Sequence, residues 1–216
     1  MSEIPTLIDE RHVRYINEHT RPEDEFLVEL KRAATEAGIP SIWIAPAQAS
    51  LMQILLRLAG ARAVVEVGTL AGYSAIAMAR ALPEGGRVRT IEIDPERAAF
   101  AGRWIERSDV AGKVEVLCGA GLEVLPRLET DSADAAFLDA DKASYPIYLD
   151  ESLRIVRSGG LIMVDNAFAF GQLFDPRPSD REVGAVRAFN DLMARNSSVH
   201  GIIVPIGDGL WVAVKR

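Results

Sequence analysis

The chain has 216 residues, 49% hydrophobic and 25% charged, enough for one sizeable core and a single domain over 1–216. Its formal net charge of −7 repels phosphate backbones and anionic lipid, so neither nucleic acid nor a membrane surface is an expected partner. One cysteine, Cys118, excludes an intrachain disulfide and fits a cytoplasmic location, and the opening MSEIPTLIDERHV has neither the basic nor the apolar part of a signal peptide.

Residues 6–38 read as two helices, the second starting at Pro22 and stopped by Gly38; up to residue 45 they form an N-terminal helical extension. PAQASLMQILLRLAG sets Leu51, Ile54, Leu55 and Leu58 at helical spacing and predicts a helix from Pro46 to about Ala59. From Ala61 the chain alternates. AVVEVG is a strand, YSAIAMARAL a helix, RVRTIEID a strand and PERAAFAGRWIER a helix with proline in its first turn. KVEVLCG, a short helix near Leu122–Leu128, ADAAFLDAD, a helix over Tyr145–Val156 and GGLIMVDN continue the pattern. After a helix over about Arg181–Arg195, VHGIIVPIG and GLWVAVKR flank Gly207-Asp208-Gly209, a hairpin signal. The expected class is therefore α/β: a Rossmann-like, doubly wound sheet of seven strands, mostly parallel, closed by an antiparallel C-terminal hairpin and preceded by the N-terminal helices.

VVEVGTLAGYSAIAMA is the first strand–turn–helix, where glycines let backbone approach a ligand at the carboxyl edge of the sheet. The spacing Gly68-x-x-x-Gly72 lacks the G-x-G-x-x-G cradle for a pyrophosphate, which argues against a nicotinamide cofactor. Glu92 still ends the second strand, where a carboxylate can accept both ribose hydroxyls. An adenosyl ligand without pyrophosphate suits these features, and S-adenosylmethionine is the commonest. The plainer alternative is that Gly68 and Gly72 only shape a tight turn and that Glu66 only caps its strand.

FLDADKASYPIY ends an apolar strand in Asp139, Asp141 and Lys142. With EVGTLAGYSA, GGLIMVDN and the closing PIGDGL, it gives the chain from about Ile42 onward its likeness to a known family. The sequence resembles the cation-dependent O-methyltransferases, the group that contains catechol O-methyltransferase and caffeoyl-CoA O-methyltransferase. The resemblance implies that Glu66, Gly68, Thr69 and Ser74 hold the methionine part of S-adenosylmethionine, with Ile44 and Tyr73 among the cofactor contacts. It implies Glu92 at the ribose, Gly121 beside the adenine, and Asp139, Asp141 and Tyr148 facing the cofactor. Asp139, Asp165 and Asn166 would bind a divalent metal, Mg²⁺ or another hard cation such as Mn²⁺ or Ca²⁺. Asp139 and Lys142 would be catalytic, Lys142 as the base. The family also implies a homodimer.

These residue types suit the chemistry. A phenol ionises at roughly pH 10 and must approach phenoxide to attack a methyl group. A divalent cation makes a coordinated hydroxyl more acidic, and a lysine beside it can take the proton. Three oxygen ligands leave open positions for two neighbouring substrate oxygens, which favours a catechol-like phenolic small molecule. Two departures bear on the substrate. NAFAFG places Ala169 and Phe170 where plant caffeoyl-CoA enzymes carry a Trp-Asn pair, so a CoA thioester is not expected, and Phe168, Phe170 and Phe174 form an apolar wall. Gln48-Ala49 replaces the usual acid-glycine pair before the first strand. A cofactor-binding protein without catalysis is the alternative from another class, and a nicotinamide-dependent reductase is the third reading. His12, His19 and His200 match no catalytic position.

Overall fold

Two aspartates open the N-terminal helices in the computed structural model, which describes residues 6–20 and 22–216. The Asp9 carboxylate accepts from the amides of Arg11 and His12 and starts α1 (Glu10–His19). The Asp24 carboxylate accepts from Leu27 N at 3.1 Å and starts α2 (Glu25–Glu36). The second helix thus begins at Glu25 rather than at Pro22, because the capping aspartate rather than the proline sets its first turn. Its end is as expected: Gly38 turns back at φ 77° and Ile39 N donates to Ala34 O. α1 buries none of its residues, whereas α2 buries Leu27, Leu30 and Ala34. Pro46 then opens α3 (Pro46–Leu58).

Seven strands follow: β1 (Ala63–Val67), β2 (Arg87–Glu92), β3 (Val114–Cys118), β4 (Ala133–Leu138), β5 (Val156–Val164), β6 (Val199–Val204) and β7 (Leu210–Lys215). Their order is β3-β2-β1-β4-β5-β7-β6; the first five run parallel, and β7 pairs antiparallel with both β5 and β6. The connecting helices are α4 (Tyr73–Ala81), α5 (Pro95–Arg107), α6 (Gly121–Val124), α7 (Tyr145–Ile155) and α8 (Val183–Arg195). Both faces of the sheet are covered. Leu30, Met52, Ile76, Met78 and Phe137 pack on one face, and Leu138, Tyr145, Leu149, Ile162 and Phe189 on the other. The neighbours Phe137 and Leu138 therefore point into different cores, as strand alternation requires.

Three boundaries differ from the sequence reading. The helix near Leu122–Leu128 divides into α6 and a 3-10 turn, Leu125–Arg127, because Pro126 has no amide to continue the α pattern. β5 begins at Val156, where α7 has just ended at Ile155, with a register shift against β4. α8 begins at Val183, since Asp180 accepts from Glu182 N and holds the preceding residues in a turn. Among the described residues no helix is long and apolar enough to cross a membrane.

Candidate active site

The strand order reverses between β1 and β4, and this is where an open α/β sheet forms its crevice, outside the carboxyl ends of the strands. Gly68 leaves β1 at φ 104°, and a Cβ there would lie 2.0 Å from the carbonyl oxygen of Asp139. Only glycine lets the two strand ends pass this closely. Glu66, one turn of pleat earlier, is fully buried, and neither carboxylate oxygen has a hydrogen-bond partner. Burial above all pushes its carboxyl up to about 8. The hydroxyls of Ser74 and Thr90 temper the rise without closing a bond, Thr90 being engaged at 2.6 Å by Thr69. A buried, unpartnered carboxylate suits a ligand that brings a cation or N–H groups.

Asp139 and Asp165 follow directly on β4 and β5, whose register pairs Leu138 with Val164. Asp165 is 6% exposed; burial and then the charge of Asp139 push its carboxyl up to about 7. Gln48 Nε2 donates to Asp165 Oδ1 at 2.8 Å. Asn166 sits at φ 63°, and its Nδ2 donates to Asp208 Oδ2 at 3.0 Å, which turns its amide oxygen the other way. Two carboxylates and an amide are thus gathered at adjoining strand ends. Among the described residues no group of three or more His, Cys, Asp or Glu is arranged to hold a metal; the third member of this set is an amide. The all-oxygen donor set and the crowding of Asp165 against Asp139 fit a hard divalent cation.

Lys142 is 5% exposed. Its Nζ donates to Asp139 Oδ1 at 3.1 Å and to the Tyr145 hydroxyl at 2.7 Å, and it lies 5.9 Å from the centroid of the Phe170 ring. Its backbone amide donates to Glu182 Oε1 at 2.9 Å. The side-chain nitrogen is therefore held at the lip of the core and shielded from solvent. Tyr145 is fully buried, and burial holds its hydroxyl well above the ordinary tyrosine range, so it stays protonated.

The remaining predicted residues divide into two groups. Glu92, Gly121, Asp141 and Tyr148 line the same carboxyl edge. Glu92 accepts from Leu70 N at 2.8 Å and Asp94 N at 3.1 Å, which fixes its carboxylate at the end of β2. A Cβ at Gly121 would lie 2.8 Å from the Tyr148 ring, so the start of α6 presents bare backbone. Tyr148 donates to Asp141 Oδ1 at 2.6 Å; burial, then this bond, pushes its hydroxyl up to about 12. The side chains of the second group are committed elsewhere. Thr69 pairs with Thr90, Ile44 packs in the core, and Tyr73 donates to Glu23 Oε1 at 2.6 Å, on the side of the N-terminal helices. Ser74 remains nearly buried beside Glu66.

Four contributors have no assigned role in the sequence reading: Gln48, Tyr145, Glu182 and Asp208. Tyr145 had a local signal, since it follows Lys142 by three residues at the start of α7. The others arrive from distant segments, Gln48 across 117 residues.

Residues 17–216 match the sequence profile of a family described as O-methyltransferase. The chain is 38% identical over 210 residues to a protein named catechol O-methyltransferase from Niastella koreensis, covering 94% of this chain and 95% of that one. It is 35% identical to a putative O-methyltransferase of Mycolicibacterium vanbaalenii, covering 92% and 87%. Among solved structures it resembles the O-methyltransferase of Bacillus cereus in complex with SAH, with TM-score 0.85, 33% identity and coverage of 94% and 96%. It also resembles TomG of Streptomyces achromogenes, an O-methyltransferase involved in tomaymycin synthesis and solved with SAM, with TM-score 0.83, 34% identity and coverage of 94% and 95%.

Proposed function

The chain belongs to the O-methyltransferase family, and we propose that it is a divalent-cation-dependent member that methylates one hydroxyl of a catechol-like aromatic small molecule. It is an S-adenosylmethionine-dependent enzyme, as its family membership and cofactor-bound neighbours indicate. The observation that carries the finer reading is the convergence of Asp139, Asp165 and Asn166 with the buried Lys142 amine.

Each residue has a task in this reading. Glu66, buried without a partner, accepts from the ammonium of the cofactor's methionine part. Glu92, already oriented by two amides, has lone pairs left for the ribose hydroxyls. The bare backbone at Gly121 lets a flat base lie close to Tyr148. When bound, the cofactor supplies an electrophilic methyl group. Asp139, Asp165 and Asn166 would hold the cation, which would stabilise negative charge on the substrate oxygen. Lys142 receives the proton of the attacking hydroxyl at Nζ, while Asp139 and Tyr145 keep that nitrogen in place. Two adjacent hydroxyls chelate better than one, which favours a catechol. The Phe170 ring near Lys142 supplies an apolar wall for a flat aromatic, and Ala169 offers no polar group to a CoA arm. The acidic surface charge, the lone Cys118 and the exposed apolar residues of α1 favour a cytoplasmic homodimer.

The test is turnover of catechol with S-adenosylmethionine in EDTA. Methylation should vanish in the chelator and return with Mg²⁺ or Mn²⁺. Full turnover in EDTA would remove the cation from the reading and leave Lys142 as the sole activator.

A further inference from the structure

The β6–β7 turn, Gly207-Asp208-Gly209, reaches the candidate active site through several contacts at once. The Asp208 carboxylate accepts from Asn166 Nδ2 at 3.0 Å, from Phe170 N at 2.8 Å and from Gly171 N at 3.2 Å. Its carbonyl accepts from Phe168 N, and that of Gly209 from Ala167 N, both at 2.8 Å. The two glycines allow the approach. A Cβ at Gly209 would lie 2.8 Å from the Phe168 ring, and one at Gly207 would lie 2.1 Å from Gln48 Oε1, the amide whose other end holds Asp165. The loop so gripped is an unusual one. Asn166, Ala169 and Phe170 all have positive φ, at 63°, 54° and 59°, a region that non-glycine residues adopt only when their surroundings impose it.

We infer that Asp208 is a positioning residue: it aims the Asn166 amide oxygen at the cation site and clamps the strained 166–171 loop so that Phe170 lies over Lys142. An amide has one acceptor end and one donor end, and Asp208 takes the donor end of Asn166. The same carboxylate takes two backbone amides that an exposed loop would otherwise leave to water. Removing it releases both the side chain and the backbone. Groups that orient a metal ligand typically contribute about 10–100-fold to metal affinity. The cation part of this inference rests on the proposed function; the clamping of the loop does not.

The experiment measures two things on the full chain. Amide hydrogen exchange of the ligand-free protein reads the loop. Mn²⁺ titration of the S-adenosylhomocysteine-loaded protein, followed by electron paramagnetic resonance, reads the cation site. Asp208→Ala should speed exchange of the Phe170 and Gly171 amides and weaken Mn²⁺ binding about 10–100-fold. Its S-adenosylhomocysteine affinity should stay within about twofold, which reports an intact sheet edge. In an Asn166→Ala background, Asp208→Ala should cost little further Mn²⁺ affinity, because the group it aims is gone. If Asp208→Ala does not fold, Asp208→Asn serves: it keeps the volume but sets a donor against one of three donors, so exchange and affinity should shift the same way by less. Unchanged exchange and Mn²⁺ affinity would overturn the inference. So would an equal loss of Mn²⁺ affinity with and without Asn166, which marks a merely structural effect. A wild-type protein that binds no Mn²⁺ while Asp208→Ala still frees the two amides would overturn the cation reading and support the clamp.

Discussion

Replacing Lys142 by alanine tests the chemistry most directly. The side chain is 5% exposed and its Nζ has two fixed partners, so the amine is preorganised and its loss should register in full. A positioned general base contributes about 10²–10⁴-fold, or roughly 2.7–5.4 kcal/mol of barrier. Lys142→Ala should therefore lower kcat on catechol by about that factor while leaving S-adenosylmethionine affinity nearly unchanged, since Glu66 and Glu92 lie on other strands. Lys142→Arg should fail almost as badly, because a guanidinium cannot take up a proton near neutrality. The deciding assay compares catechol with 4-nitrocatechol. The nitro compound is largely ionised at neutral pH and needs no base, so its fractional loss should be much smaller. Equal fractional losses on both substrates would refute the base assignment and leave Lys142 as a charge that merely balances Asp139.

Glu66→Gln should stabilise the ligand-free protein at pH 8 and weaken cofactor binding. The Glu66 carboxyl is pushed up to about 8 from an ordinary 4.5, so the stability linked to its proton is full below pH 4.5 and lost as pH rises through 8. Thermal melts of wild type should show that decline and those of the variant should not; parallel curves would contradict it. Glu92→Ala removes two charge-assisted bonds of roughly 1.5–3 kcal/mol each, so the S-adenosylmethionine dissociation constant should rise by at least about tenfold. An unchanged constant would take Glu92 away from the ribose. Sedimentation should give a dimer through the α1 face that exposes Val13, Tyr15 and Ile16; a 23.5 kDa species alone at micromolar concentration would refute this.

Much of this architecture is legible in the sequence because it is local. Each strand and helix carries its own period, and parallel βαβ connection then fixes which ends share an edge. Asp139 and Asp165 could be placed together on that ground, since each directly follows an apolar strand and the strands are neighbours. Local reasoning misled where two local signals competed, as at α2, where Asp24 overrode Pro22. It could not reach contacts that only the folded chain creates. Gln48 meets Asp165 across 117 residues and Asp208 meets Asn166 across 42, with no periodicity linking either pair. The turn glycines of PIGDGL announce a hairpin, yet the hairpin alone does not reveal that its aspartate faces the site.

The same contacts explain how a protein tolerates so many carboxylates at one edge. Glu66, Glu92, Asp139, Asp141 and Asp165 converge there, and Lys142 is the only buried lysine or arginine among the described residues. Three of these carboxylates are oriented by neutral donors, amides for Glu92, Tyr148 and an amide for Asp141, and Gln48 for Asp165, whereas Asp139 is paired with a lysine, Lys142. Neutral donors orient a carboxylate while leaving its negative charge available, which a salt bridge would cancel. The edge is therefore fixed in place and short of positive charge, ready for ligands that bring it, and both a sulfonium cofactor and a divalent cation do so. Glu66 and Asp165, the carboxyls that burial and nearby negative charge push up, gain most when those charges arrive. Binding and stability are thus coupled through the same carboxylates, and the cofactor and the cation should each strengthen the fold by an amount that grows with the logarithm of their concentration over their dissociation constant.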